Sequence, residues 1–210
     1  TGFSHHMRYV LPAFPFVFIW ISKAARAFDL RHRGTAVFAT MAFAWSVASS
    51  LSVFPHNLAY FNELAGGPAN GHAHLLDSNI DWGQDLFFLK RWLDVHPEAR
   101  PIGLAYFGSY PPEFAGILAT QVPQLPGTHH HHDAATQEAE GPRPGWYAVS
   151  VNLLHGHIMG GWRVLPDYTY FLRLEPVAMA GYSIYIYHVT REEADRVRRE
   201  LGLPELGDER

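Results

Sequence analysis

The chain of 210 residues has no cysteine, which excludes disulfides, thiolate metal centres and a cysteine nucleophile, and leaves the redox compartment open. Acidic residues are almost missing from its first quarter. Residues 1–54 hold five Lys/Arg against the single Asp29, whereas residues 55–210 hold eleven Lys/Arg against nineteen Asp/Glu. The overall balance of −4 therefore averages a basic start and an acidic remainder. An acidic remainder offers no attractive field to nucleic acid, which is not an expected partner. Also lacking are an initiating Met, a basic start region and a signal-peptide cleavage pattern, so the chain is expected to be cut from something longer.

The most informative absence is local. From Gly34 to Phe54, twenty-one residues carry neither charge nor proline, and Arg31, His32 and Arg33 stand immediately before them. At about 1.5 Å per residue such a helix covers roughly 30 Å, the thickness of a bilayer's hydrocarbon core. A second apolar run, Tyr9–Ser22, has Pro12 and Pro15 near its start and Lys23 and Arg26 near its end. The pair predicts a membrane α-helical hairpin with spans at about 9–28 and 34–54. Lys23, Arg26, Arg31 and Arg33 lie in the short connection, and excess Lys/Arg in a short loop marks the cytoplasmic side. Everything after residue 55 is then extracytoplasmic, with Trp45, Tyr60 and Phe61 suited to an interfacial aromatic belt. A soluble α/β enzyme with a core hairpin is the competing interpretation of the same two runs.

Residues 55–210 suffice for one domain with its own core. Strand-like stretches near His74–Asp77, Ile102–Phe107, Trp146–Val151 and Ser183–Val189 alternate with helix-like ones near Gly83–Val95, Pro112–Ala119, Asp167–Leu174 and Arg191–Leu201. Alternation of this kind predicts an α/β domain with a largely parallel sheet. Residues 123–145 have almost no large apolar side chain and predict a disordered exposed loop, and the tail after Gly202 is polar and expected to fray. Four consecutive histidines, His129–His132, lie in that loop, where no preorganised metal site is expected.

Chemistry is concentrated in Asp77-Ser78-Asn79-Ile80-Asp81-Trp82-Gly83-Gln84-Asp85, placed where a strand hands over to its helix. In open α/β sheets that position lines the ligand crevice. Three carboxylates in nine residues disfavour phosphate and favour cations or sugar hydroxyls. A calcium loop fits poorly, since glycine comes at the seventh place and Phe88 stands where the bidentate Glu belongs. No metal is expected. The candidate acceptor or ligand pocket is Asp77, Asn79, Asp81, Gln84, Asp85 and Asn152. The structural alternative has Asp81 capping the helix with Gln84 as reciprocal partner. Other strand ends collect Gly108-Ser109-Tyr110 and Asn152, His155, Gly156 and His157. Arg8, with His6 and Tyr9, stands at the outward mouth of the first run, where an arginine suits either a lipid phosphate or simple interfacial anchoring.

HMRYVLPAFPF, YFNELAGGP, LLDSNIDWGQDL and GYSIYIYHVT together resemble the C-terminal part of bacterial membrane glycosyltransferases of the protein O-mannosyltransferase and aminoarabinose-transferase group, glycosyltransferase family 39. The resemblance implies a multi-pass enzyme of the bacterial inner membrane. Such an enzyme moves a sugar from a polyprenyl-phosphate donor to an extracytoplasmic protein, lipid or glycan. It further implies that the essential carboxylate lies upstream of this chain, so none of Asp77, Asp81 and Asp85 inherits that role. Arg8, His6 and Tyr9 fall near the donor's lipid-phosphate pocket in that resemblance. No cofactor beyond the lipid-linked substrate is implied. The rival from another class is a membrane-tethered module that binds glycan or protein without catalysis.

Overall fold

The computed structural model describes residues 10–28, 33–125, 141–156 and 168–207. Arg8, His6, Tyr9, His129–His132 and His157, singled out in the sequence, lie outside them. The Gly34–Phe54 run folds as α2 (Arg33–Ser52), twenty residues long with mean hydropathy 1.3. Among the described residues it is the one helix long and apolar enough to cross a membrane, judged by length and composition. Its apolar side chains are not gathered on a stripe. Phe38 and Phe43 are 71% and 65% exposed, yet stand about 140° apart around the axis. A helix that is apolar all round and not buried in protein needs another apolar surround.

The expected hairpin is not shown. The first run forms a 3-10 turn at Leu11–Ala13, then α1 (Phe14–Ile21), then a 3-10 segment at Ser22–Phe28 that touches α2. Eight α-helical residues cover about 12 Å, well short of a bilayer core. Pro12 sits in the first turn of the leading 3-10 segment and Pro15 in that of α1, where a missing amide costs little, so they restart the helix instead of kinking a longer one.

Beyond α2, the chain builds α3 (Leu86–Val95), β1 (Ile102–Ala105), β2 (Ala119–Thr120), β3 (Gly145–Ser150), α4 (Val151–Leu154), β4 (Ala178–Ala180), β5 (Ile184–Val189) and α5 (Arg191–Glu200). The sheet order is β2-β1-β3-β5-β4. β1 runs parallel to both β2 and β3, while β3–β5 and β5–β4 are antiparallel. The sheet is thus mixed, not largely parallel. Asp167–Leu174, expected as a helix, supplies a 3-10 turn at Thr169–Arg173 among its described residues, and β5 returns beside β3 in the opposite sense. Nor does His74–Asp77 form a strand. Its neighbourhood is 3-10 turns at Pro68–Ala73 and Asp77–Asn79, and Asp77 takes a left-handed φ of 62° that an extended strand cannot contain. Pro112–Ala119 likewise yields a 3-10 turn at Pro112–Ala115.

Alternation along the central strands sorts side chains to two faces. Tyr147, Val149, Tyr185, Tyr187 and Val189 join Ala194 and Val197 of α5 and the Tyr170–Phe171 turn. Ala148, Ile184 and Ile186 join Leu86, Leu89 and Leu93 of α3. Three layers result. The first core is strongly aromatic, with Phe171 5.5 Å from Tyr147 and 4.8 Å from Tyr187 between ring centroids.

The described flanks of the expected disordered loop are built into this fold. Tyr170 Oη donates to Pro123 O at 2.8 Å, Gly141 N donates to Gln124 O at 2.7 Å, and the fully buried Arg198 donates to Pro142 O at 3.1 Å. The same arginine donates to Pro204 O, and Leu206 N donates to Asp195 Oδ1 at 2.9 Å, so the tail through Gly207 is tied to α5 instead of fraying. A buried guanidinium needs acceptors, and carbonyls of the otherwise polar flanks provide them.

Phe171→Ala is expected to cost about 3–5 kcal/mol, because the cavity opens between three tyrosine rings. Leu172→Ala next to it, at a half-exposed position, should stay within about 0.5 kcal/mol. Denaturant titration of both variants checks the difference.

Candidate functional site

The acidic segment docks on the edge of the sheet where β1 and β3 end and β5 begins. Phe107 N donates to Ser150 Oγ at 2.9 Å just past β1, and Val151 N donates to Ser183 O at 2.7 Å. Asn152, immediately beyond, accepts from Asp77 N at 2.7 Å. Asp81, Asp85, Ser150, Asn152 and Ser183 are all fully buried. Five polar side chains without exposure at one sheet edge form the chemical centre of the domain.

Asp85 stands at the N-terminus of α3, but its carboxylate does not cap that helix. It crosses to the β4–β5 turn, where Oδ2 accepts from Tyr182 N and Ser183 N, each at 3.1 Å. Oδ1 lies 3.0 Å from His56 Nδ1, with the imidazole as donor to an oxygen that can only accept. The carboxylate fits because Gly181 has no side chain: a Cβ there would meet Asp85 at 2.1–2.2 Å, and its φ of +61° suits glycine as well. His56 is further enclosed by Phe88 and Tyr182, with ring centroids 4.2 and 5.3 Å away.

Asp81 is not the helix cap expected from its spacing to Gln84. Gly83, at φ +80°, turns the chain first, and Asp81 Oδ1 closes this turn by accepting Gly83 N at 2.8 Å. Gln84 serves the same turn: Oε1 accepts from Trp82 N at 2.8 Å and Nε2 donates to Ile80 O at 3.0 Å. Gly83 is pressed against Tyr106, whose hydroxyl donates to Gly83 O at 2.9 Å. Burial pushes the Asp81 carboxyl up to about 6, opposed chiefly by the Gly83 amide and assisted by the charge of Asp85. Asp81 Oδ2, Ser183 Oγ and Asn152 Nδ2 are buried without a hydrogen-bond partner among the described residues.

Asp77 and Asn79 lie at the partly exposed rim, where Asn79 Nδ2 donates to Leu76 O at 3.0 Å. Trp82 is exposed beside them. His155 belongs to a second grouping: its ring stacks on His72 at 4.5 Å, and Tyr185 Oη lies 3.3 Å from His72 Nδ1. Burial, then the neighbouring His72, holds the His155 imidazole below its ordinary value. No group of three or more His, Asp or Glu among the described residues is placed to hold a metal. A groove of about 550 Å³ along α2, lined by Arg33, Ala36, Val37, Thr40 and Met41, draws on none of the cluster residues.

Sequence spacing missed His56, Ser150, Tyr182 and Ser183. The only available signal was the Gly-Tyr-Ser run preceding a strand, which marks a turn and says nothing of a carboxylate 97 residues away. Compared with protein-family models, curated proteins and solved structures, the chain matches none.

Because the folded-state value of Asp81 lies above the ordinary ~3.9 of an unfolded aspartate, the native state binds this proton more tightly. Its stabilising contribution is complete below about pH 4 and is lost as pH climbs through 6. Asp81→Asn should therefore gain on the parent protein by on the order of 2–3 kcal/mol between those limits. Denaturation of both proteins across that pH range measures the gain.

Proposed function

We propose that this chain is the C-terminal portion of an integral-membrane glycosyltransferase that moves a sugar from a polyprenyl-phosphate donor to an extracytoplasmic acceptor. Its α/β domain binds and orients that acceptor. The observation carrying the proposal is a juxtaposition. α2, apolar on all sides, ends at Ser52, and four residues later His56 is held by the carboxylate of Asp85 at the acidic edge of the sheet. A reaction between a lipid-linked donor and a hydrophilic acceptor needs polar recognition groups at the mouth of a membrane span, and this arrangement supplies them.

The last two turns of α2 suit such a mouth. Ser49 Oγ lies 3.0 Å from Tyr60 Oη, and the exposed Glu63 carboxylate is held below its ordinary value, chiefly by Ser49. Trp, Tyr and a solvated carboxylate together belong at the headgroup level. In the proposed topology the first apolar run crosses as partner span only with its 3-10 flanks included, from Leu11 to Phe28, since the α-helical part alone is too short; the basic connection is cytoplasmic and the protein lies in the bacterial inner membrane. Arg8, with His6 and Tyr9, is assigned to the donor phosphate through the resemblance to the family 39 enzymes.

At the sheet edge, the exposed Trp82 ring offers a flat apolar face to a sugar, while Asp77 and Asn79 offer hydroxyl acceptors at the rim. Asp81, Ser183 and Asn152 stand behind them with unspent hydrogen-bonding capacity. The catalytic base is not assigned to this cluster, because the resemblance to the family 39 enzymes puts the essential carboxylate upstream; within the cluster both oxygens of Asp85 are in addition engaged by the fold. That engagement is also what favours the second reading, a tethered glycan- or protein-binding module without catalysis.

Asp77→Asn tests the assignment cleanly, because Asn tolerates the left-handed backbone at this position as well as Asp does. In the full-length protein in native membranes, transfer from a radiolabelled polyprenyl-phosphate sugar is measured. Acceptor kcat/KM should fall about tenfold, roughly 1.4 kcal/mol, with donor KM and thermal midpoint unchanged. Unchanged acceptor kinetics remove the acceptor role, and absence of any transfer by the parent protein removes the transferase.

A further inference from the structure

The outward face of α3 is not polar at its start. Phe87, Tyr110 and Phe114 are 55%, 45% and 71% exposed, and they touch one another: ring centroids are 5.7 Å apart for Phe87–Tyr110 and 6.1 Å for Tyr110–Phe114. Three large rings associating in the open form a contiguous apolar patch, which marks an interaction surface where scattered single residues do not.

Its place in the chain narrows the partner. Phe88, adjacent to Phe87, packs its ring on His56 at 4.2 Å, and His56 is four residues past the end of α2. Four residues reach at most about 14 Å, so α3 begins close to the exit of that helix. Arg91, one turn along the exposed side from Phe87, holds its guanidinium over Phe88 at 5.4 Å. Aromatic rings beside an arginine, tethered next to a membrane span, match the headgroup layer, where amphipathic rings settle and a guanidinium meets phosphate.

We propose that Phe87, Tyr110 and Phe114 form a docking patch for the bilayer interface, seating the α/β domain against the lipid headgroups beside α2. This rests on α2 being a membrane span. The seat fixes the height of the acidic sheet edge above the membrane, and therefore which acceptors reach a lipid-linked donor.

The cysteine-free chain permits labelling at single introduced thiols. Phe114→Cys, Phe43→Cys in α2 and Glu98→Cys beyond the far end of α3 each receive an environment-sensitive fluorophore. The full chain is reconstituted in phosphatidylcholine–phosphatidylglycerol vesicles containing nitroxide lipids with the quencher near the headgroup or at mid-chain. Position 114 is largely exposed, so the substitution leaves the core intact, and an unchanged thermal midpoint verifies this. The label at 114 should be quenched by the headgroup-level nitroxide at least about twofold more than the label at 98, and adding Phe87→Ser should reduce that excess. If 43 is quenched at mid-chain while 114 is no more quenched than 98, the docking patch is overturned and the span stands. If 43 is not quenched, the span fails and the patch with it. A label at 114 that ignores lipid but shifts with soluble oligosaccharide overturns the proposal in favour of a glycan platform.

Discussion

A carboxylate removed from water must be resolvated by donors, and Asp85 organises the domain around that requirement. Its donors come from three separate stretches: the exit of the apolar helix, through His56; the segment preceding α3, through Gln84 Nε2 at 3.4 Å; and the β4–β5 turn, through the amides of Tyr182 and Ser183. None of these stretches could move away without leaving the charge underbonded. The demand extends to Gly181, whose missing side chain makes room for the carboxyl group.

The packing that surrounds this node explains why a buried acid is tolerated there. Both faces of the sheet are covered, one by the aromatic layer around Phe171 and the other by Leu86, Leu89 and Leu93 of α3. The chain therefore has a well-filled apolar framework on which the edge can carry polar groups. Asp81 lies at the same edge with weaker compensation, the Gly83 amide on one oxygen and no partner on the other, and burial raises its affinity for a proton. Two aspartates four residues apart thus differ in their surroundings: one is enclosed by donors from across the fold, the other retains an oxygen without a partner. That difference separates an acid fully engaged by the fold from one with an oxygen left unbonded.

Much of the framework was legible because it rests on local periodicity. The apolar alternation in Trp146–Val151 and Ser183–Val189 marks β3 and β5, and the amphipathic stretches after Gly83 and Thr190 mark α3 and α5. β2 and β4 escaped because two or three residues of Ala, Thr and Met carry no strand signal. The sense of β5 escaped along with β4: the turn at Gly181–Ser183 reverses the chain between β4 and β5, and the sequence carried no sign of β4. The acidic segment was visible as a concentration of polar residues, but its bonds were not. Spacing suggested a capping pair between Asp81 and Gln84; the left-handed Gly83 intervenes and diverts both side chains into a turn. Contacts spanning 29 to 98 residues, which define the role of Asp85, leave no local trace.

The central claim is that the helix exit and the domain are one energetic unit joined at Asp85. A double-mutant cycle on the reconstituted chain with His56→Ala, Asp85→Asn and the combined variant measures that coupling directly. An interaction energy of about 1–3 kcal/mol is predicted, since either change alone strands the same hydrogen bond. Additivity within about 0.5 kcal/mol would contradict the account, leaving the apolar helix and the α/β domain as independent parts.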